Sequence, residues 1–506
     1  MKLFNEEESE QMDFIFNKDD IRKLELFSYL ENTYDQSATQ IEIQNKFEWS
    51  KFITVTTINS LAEDLVNEGL DSYYLININD KKITLQKNGL DSIDHLLLLY
   101  AENSTQFQML NAMFMQTDFN LEFFTDSLFL SEATGYRTKR ALDDMLQKVG
   151  FHLTQDFQLA GSEENIRMFF YKLYLDIYKN YSFPFNEEVN RYSNLFVNQL
   201  IDSLNLELTQ MQLLKLKYFS AVLIQSLTSE RTNTNIEDVP YVTTANSKNT
   251  FPMIFACLQE NPGIKELTED QLTIETRFIL NFLYIEGMID VTFNTSPFFS
   301  QIESLNTFVI KDLQKYFDIT LNEKNYISLF DELSRIHFAS YYSTPIEFSW
   351  QVALDNTILK ENYGFFYLFV DQLISNLKTS NPDIFGIKIK NISHLKSEYL
   401  FLFIRYIDLS TVLKPVHVTI DFSKGNNYND LIHKNLDSLP FFNIEVSYSL
   451  TAKTDIYLSD FLMAGVSSRY LIWNSPPLAS DWEIFANMIV DIRTNGVGGT
   501  NNVKNL

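Results

Sequence analysis

SEATGYRTKRALDDMLQKVG, residues 131–150, is the stretch on which the reading of this chain turns. Ser131 has the side chain to cap a helix, and Leu142, Met145, Leu146 and Val149 return at the spacing of a buried helical stripe. Gly150 is placed to stop it. Arg137, Lys139 and Arg140 lie within four residues, Lys148 follows, and Asp143 and Asp144 come only after the cluster. The positive charge is therefore concentrated in the N-terminal turns. That distribution suits a recognition helix, whose front half enters the major groove, where arginine reads guanine edges and either cation neutralises phosphate. Thr134, Tyr136, Arg137, Lys139 and Arg140 are the candidate contacts. A packing role is the alternative for Tyr136, and three basic side chains in about one turn also describe an ordinary solvated face.

Working outward, Ser104 precedes a helical pattern carrying Phe107, Leu110, Met113 and Phe114, and Asn120 can cap a short helix with Phe123, Phe124 and Leu128. On the other side, Phe151 to Leu159 alternates like a small hairpin closed by Ala160 and Gly161. Three helices and a hairpin in that order make a winged helix-turn-helix. The same order is found earlier. Ile21 to Leu30 and Thr39 to Phe47 read as helices, and a third spans about Thr54 to Glu68, capped by Ser50 or Thr54 and ended near Gly69. Tyr73 to Leu85 follows as a hairpin turning at Asn79 and Asp80. In this first unit the candidate DNA contacts are Thr54, Thr56, Thr57 and Asn59 on the third helix, with Lys81 and Lys82 at the wing tip. An ordinary charged β-turn accounts for the two lysines equally well.

Beyond the winged units, Glu163 to about Leu227 is strongly helical, Thr228 to Asn249 reads as a polar loop, and helical patterns resume to about Asn376. The texture then changes. Val416 to Phe422, Ile444 to Tyr448 and Tyr470 to Trp473 are strand-like, with a helix over Tyr428 to Asp437, which suggests a small α/β domain with a parallel sheet. The expected organisation is a first winged region at 1–95, a second at 96–162, helical domains at 163–290 and 291–408, an α/β domain at 409–493 and a flexible tail at 494–506.

The bulk numbers narrow the function. A chain of 506 residues implies several cores, and 45% hydrophobic residues suffice to fill them. Forty Lys and Arg against 66 Asp and Glu leave a formal charge of -26. Long-range attraction to phosphate is weak, so DNA affinity has to come from a small, locally positive surface. The single cysteine, Cys257, forms no disulfide within the chain, and six dispersed histidines offer no metal-ligand spacing. The acidic start does not read as a signal peptide, and no apolar run reaches the roughly 20 residues that a membrane helix requires. A cytoplasmic protein without cofactor or metal is expected.

The segment LFLSEATGYRTKRALDDMLQKVGFHLTQDFQLAGSEENIRMFFYKLY, residues 128–174, resembles the second helix-turn-helix of the Mga family of virulence and carbohydrate-responsive regulators of Gram-positive bacteria, together with the junction to the domain that follows. Ser131, Thr134, Arg137 and Leu142 fall on the helix motif, and Gly161, Glu163, Ile166 and Arg167 fall on the junction. The resemblance implies a mainly α multidomain protein with two winged helix-turn-helix units, two helical bundles like the regulation domains (PRDs) of the sugar phosphotransferase system (PTS), and a C-terminal domain like the IIB component of that system. It also implies transcription activation by binding double-stranded promoter DNA, homodimers or higher homo-oligomers, and contact with the PTS phosphocarrier protein.

The chain departs from that family plan in two places. No histidine lies between Glu163 and Asp290, which leaves His337, within a long helical pattern, as the possible phosphoacceptor, with His394 second. The loop Asp421 to Asn427 lacks the cysteine that carries phosphate in a IIB enzyme, so the last domain reads as a scaffold that senses or oligomerises. No spacing of carboxylates selects a catalytic pair, and an enzyme is not expected. The alternative reading is a PTS-linked scaffold that binds regulatory proteins and has little direct contact with DNA.

Overall fold

The computed structural model describes residues 10–33, 35–79, 82–88, 93–116, 119–232, 242, 250–264, 266–291, 297–342, 346–347, 364, 366–377, 379, 392–407, 415–439, 443–463 and 465–497. The chain is mainly helical, with small sheets, and divides into two compact units. One holds residues 1–302, 335–355 and 386–394; the other holds 303–334, 356–385 and 395–506. No helix among the described residues is long and apolar enough to cross a membrane.

The first unit opens with strand β1 (Glu10–Gln11), which pairs in parallel with β7 (Ile346–Glu347), a contact between segments too short to leave a periodic signal. Helix α1 (Lys18–Glu31) is followed by β2 (Ser37–Thr39), α2 (Gln40–Phe47) and α3 (Lys51–Asn67). Thr39 caps α2 in a reciprocal capping box with Glu42. Ser50 caps α3, and Thr54 lies one turn inside it. Strands β3 (Tyr74–Asn79) and β4 (Lys82–Lys87) form the expected hairpin, and β2 adds to it in an antiparallel sheet of order β2-β4-β3.

Helix α4 (Asp94–Asn103), apolar nearly all round and without a side-chain cap, joins this winged unit to the next. Tyr100 donates to Asp64 of α3 (2.7 Å), and Lys179, beyond the second winged unit, pairs with Asp94. The second unit consists of α5 (Thr105–Met115), α6 (Leu121–Ser127), α7 (Glu132–Leu146), β5 (Phe151–Leu153) and β6 (Leu159–Gly161). Its three helices are capped by Ser104, Asn120 and Ser131, as their sequence positions lead one to expect. Ala160 and Gly161 do not close the hairpin but lie within β6, where Gly161 pairs with Phe151.

A helical body follows in the same unit: α8 (Glu163–Tyr178), α9 (Glu187–Leu204), α10 (Gln210–Thr228), α11 (Thr250–Gln259) and α12 (Glu269–Ile285). Phe219 and Phe282 stack at 3.7 Å in its core, and Phe170 of α8 stacks at 3.9 Å on Phe114 of α5. The second winged unit is thus packed directly onto this body rather than tethered to it. Burial of these rings is the main driving force for that union.

Helices α13 (Pro297–Phe317) and α14 (Glu323–Tyr342) run across the division between the units in sequence. The second unit also holds α15 (366–377) and α16 (Ile392–Tyr406), the latter chiefly. Its C-terminal part is a four-stranded, all-parallel sheet of β8 (Val416–Ile420), β9 (Ile444–Ser447), β10 (Ile456–Ser459) and β11 (Arg469–Ile472), in the order β11-β10-β8-β9. Helices α17 (Asn426–Asp437) and α18 (Ala479–Val497) supply Ile432, Leu436, Phe485 and Ile489 to its core. The sequence suggests three strands. The fourth, β10, is buried at every position and so lacks alternation. Helix α18 also runs to Val497, past residue 494, where a tail was expected to begin; residues 498–506 lie outside the described residues.

Candidate nucleic-acid interface

The second winged unit is held together by close contacts between its elements. Gly135 on α7 faces α6 so tightly that a Cβ there would stand 2.7 Å from Leu121 Cδ1 and 2.9 Å from Thr125 Cγ2. The chain passes from α6 to α7 through Phe129, whose φ of 54° lies in the left-handed region. The backbone N–H of Leu130 donates to the Thr125 carbonyl (2.8 Å), fixing the turn. At the other end of α7, Asp143 accepts the backbone N–H of Leu153 at 2.7 Å, tying the helix to the wing. The acidic residue that follows the basic cluster is therefore turned inward.

What α7 presents outward is an exposed stripe of Ala133, Arg137, Arg140 and Asp144, at intervals of three and four residues. Arg137 and Arg140 have no ion-pair partner among the described residues, in a chain with 66 carboxylates to choose from. The other sequence-chosen residues divide. Tyr136 is exposed but leans toward Phe157 of the wing, ring centroids 5.8 Å apart. Lys139 is half-buried, its Nζ 4.9 Å from the centre of the same ring. Thr134 is half-buried, its hydroxyl 2.9 Å from that of Ser131 within the cap. Among the described residues the two arginines are thus cations of this surface without an ion pair, while Lys139 and Thr134 also serve the fold. Exposed Glu132 opens the helix and Asp144 follows Arg140 by one turn, so the positive face is confined to the turns between them.

In the first winged unit two of the expected contacts, Thr54 and Thr57, are buried. Thr54 is 0% exposed, and its hydroxyl donates to the Ser50 carbonyl at 3.1 Å. Thr57 is also buried. Both lie on the stripe that continues through Ile58, Leu61 and Leu65, so the phase of the apolar residues already placed them inward. They cannot meet DNA in this conformation. Thr56 and Asn59 are exposed. Lys82 is paired with Asp35 at 2.7 Å and holds that carboxyl down at about 2 by its hydrogen bond, so much of its charge is already matched. Lys81 lies outside the described residues.

His337 does not suit phosphorylation. It is 1% exposed in α14, and burial pushes its pKa down to about 3. A phosphocarrier protein has no path to an imidazole so enclosed. His394 is half-buried. Among the described residues no group of three or more His, Cys, Asp or Glu side chains is arranged to hold a metal.

The junction on which Glu163 and Arg167 fall in sequence is a buried network whose distant members, Glu275, Arg231 and Phe114, carry no sequence signal. Arg167 of α8 is fully buried and pairs with Glu275 of α12 at 2.5 Å and with Glu163 at 3.1 Å. Its Nη2 also donates to the Arg231 carbonyl at 2.7 Å, and the Arg231 guanidinium lies 4.6 Å from the centre of the Phe114 ring on α5. Arg167 and Glu275 are 108 positions apart and Arg231 and Phe114 117, so only the Glu163–Arg167 pair is local.

Comparison with known proteins agrees with this geometry. The family described as the Mga helix-turn-helix domain matches residues 91–174, from just before α4 into α8. No curated protein matches the chain. With its capped α5, α6 and α7, its β5–β6 wing and the Arg167 junction inside the matched range, this segment is similar to the Mga helix-turn-helix domain.

Proposed function

We propose that this chain is a cytoplasmic, sequence-specific DNA-binding transcription regulator that activates its targets and answers to carbohydrate or PTS status. The observation that carries DNA binding is the outward pair Arg137 and Arg140 on α7, exposed and without ion-pair partners among the described residues of an otherwise acidic molecule. Arginine in this place can take both acceptors of a guanine edge, and the adjoining helix front favours phosphate. Tyr136, Lys139 and Thr134 border that contact, and Thr56 and Asn59 offer a second, neutral surface on α3. Activation, the PTS partner, regulation-domain bundles over 163–290 and 291–408 and the IIB likeness over 409–493 rest on the family resemblance. A homodimer fits the same reading, since a two-fold protein matches paired half-sites.

The test is retention of genomic DNA by the purified full-length chain, followed by titration of a retained fragment at several salt concentrations. A regulator of this kind selects discrete fragments, and its affinity falls steeply with salt as bound counterions are released. Retention of no fragment, together with stoichiometric binding of a phosphocarrier protein, would favour a regulatory scaffold instead.

A further inference from the structure

Phe129 is 97% exposed, more than any other large apolar side chain among the described residues, and Phe52 is next at 78%. Each lies within two positions of the serine that caps the third helix of its winged unit. Phe52 comes two residues after Ser50, and Phe129 two residues before Ser131. Phe129 also holds the left-handed backbone position at the end of α6, where glycine is the unstrained choice. Its backbone N–H donates to the Asp126 carbonyl at 3.2 Å, while its ring has no aromatic partner among the described residues. The fold thus gains nothing evident from this ring, and both backbone strain and exposed apolar surface count against it. An outlier of that sort next to a binding helix points to a ligand contact.

The geometry points to Phe129, and in the first unit Phe52, as residues that read thymine by contact of the ring with its 5-methyl group at the major-groove edge. This rests on the reading of α7 as a DNA-recognition helix. The front of such a helix enters the major groove, so residues flanking its cap meet the groove wall, where thymine presents an apolar methyl. The surroundings favour DNA over a protein partner. Leu128 and Leu130 on either side of Phe129 are half-buried, Lys51 beside Phe52 is exposed, and free Arg137 and Arg140 share the face of α7. An exposed ring in the turn before a helix that presents two arginines suits a methyl group flanked by phosphates.

The experiment uses the full-length chain and a duplex it selects from a random-sequence pool, compared with the same duplex carrying deoxyuridine for every thymidine. The wild type should lose about fourfold in affinity for each contacted methyl. Phe129→Gly, which the positive φ accepts, should bind the thymine duplex more weakly and show a correspondingly smaller loss on the uracil duplex; Phe52→Ala should do the same for the first unit. Arg137→Ala with Arg140→Ala should lose both duplexes. Equal wild-type affinity for the two duplexes, or an unchanged thymine preference in Phe129→Gly, would overturn the assignment. If the wild type binds DNA through the arginines but ignores the methyl groups, only this inference fails; if it binds no duplex, the DNA reading fails with it.

Discussion

Gly135 on α7 and Thr125 on α6 approach so closely that a Cβ on the glycine would stand 2.9 Å from Thr125 Cγ2. Thr125 cannot easily yield, because it is buried and its hydroxyl donates to the carbonyls of Leu121 and Glu122. A glycine inside a helix ordinarily costs about 1 kcal/mol against alanine. Here the overpacking of a larger residue, about 1–3 kcal/mol, works the other way. Gly135→Val is therefore expected to destabilise the domain by about 2 kcal/mol or more and to weaken DNA binding by displacing α7. Denaturant unfolding monitored beside DNA titration checks both. A valine variant of unchanged stability would show that the two helices are not locked as described.

A second expectation concerns Arg167 and Glu275. Removing one partner of a buried ion pair leaves the other uncompensated, at a cost of about 3–5 kcal/mol. Glu275→Ala should lower the midpoint of urea unfolding by that order. Exchanging both partners for apolar residues of similar size, Arg167→Met with Glu275→Leu, should restore much of the loss. Amide hydrogen exchange in α5, α8 and α12 of the single variant should rise together, because Arg167 and Arg231 link these helices. Exchange that increases in α12 alone would dissociate the winged unit from this anchor.

His337 sets a pH dependence. Its folded pKa is depressed to about 3 by burial, against an ordinary value of 6.5. The folded state thus favours the neutral ring, and the resulting stability is complete above about pH 6.5 and is lost as pH falls toward 3. His337→Asn, measured by denaturant unfolding across pH 4–7, should show a shallower loss than the wild type over that window. Parallel curves would mean that the imidazole takes up its proton without cost.

Much of the second winged unit was legible in sequence because local rules act there without competition. Ser104, Asn120 and Ser131 cap the helices they precede, and the apolar stripe of α7 has a clean period. The first unit was legible in outline, but its threonines were assigned by residue type rather than by phase, and Thr54 and Thr57 proved buried. Helix α4 was missed because a helix apolar on nearly every face has little amphipathic signal, and β2 and β10 because three or four residues carry too little pattern. Of the buried Arg167 network only the pair with Glu163 is local; its contact with Glu275 spans more than a hundred residues and leaves no trace in sequence. The exposure of Phe129 is a consequence of tertiary structure, since a phenylalanine between two leucines reads as core.

In the proposed function α7 binds DNA through its outward arginines. The most direct measurement of this is the affinity of the full-length Arg137→Ala, Arg140→Ala double variant for a duplex that the wild type selects, at fixed salt, with thermal unfolding as the control. Both side chains are exposed and make no ion pair among the described residues, so the fold should be unaffected. Selective binding should be abolished while the melting temperature stays within a degree or two of the wild type, on the order of a few tenths of a kcal/mol. Wild-type affinity in the double variant would contradict this role of the arginines.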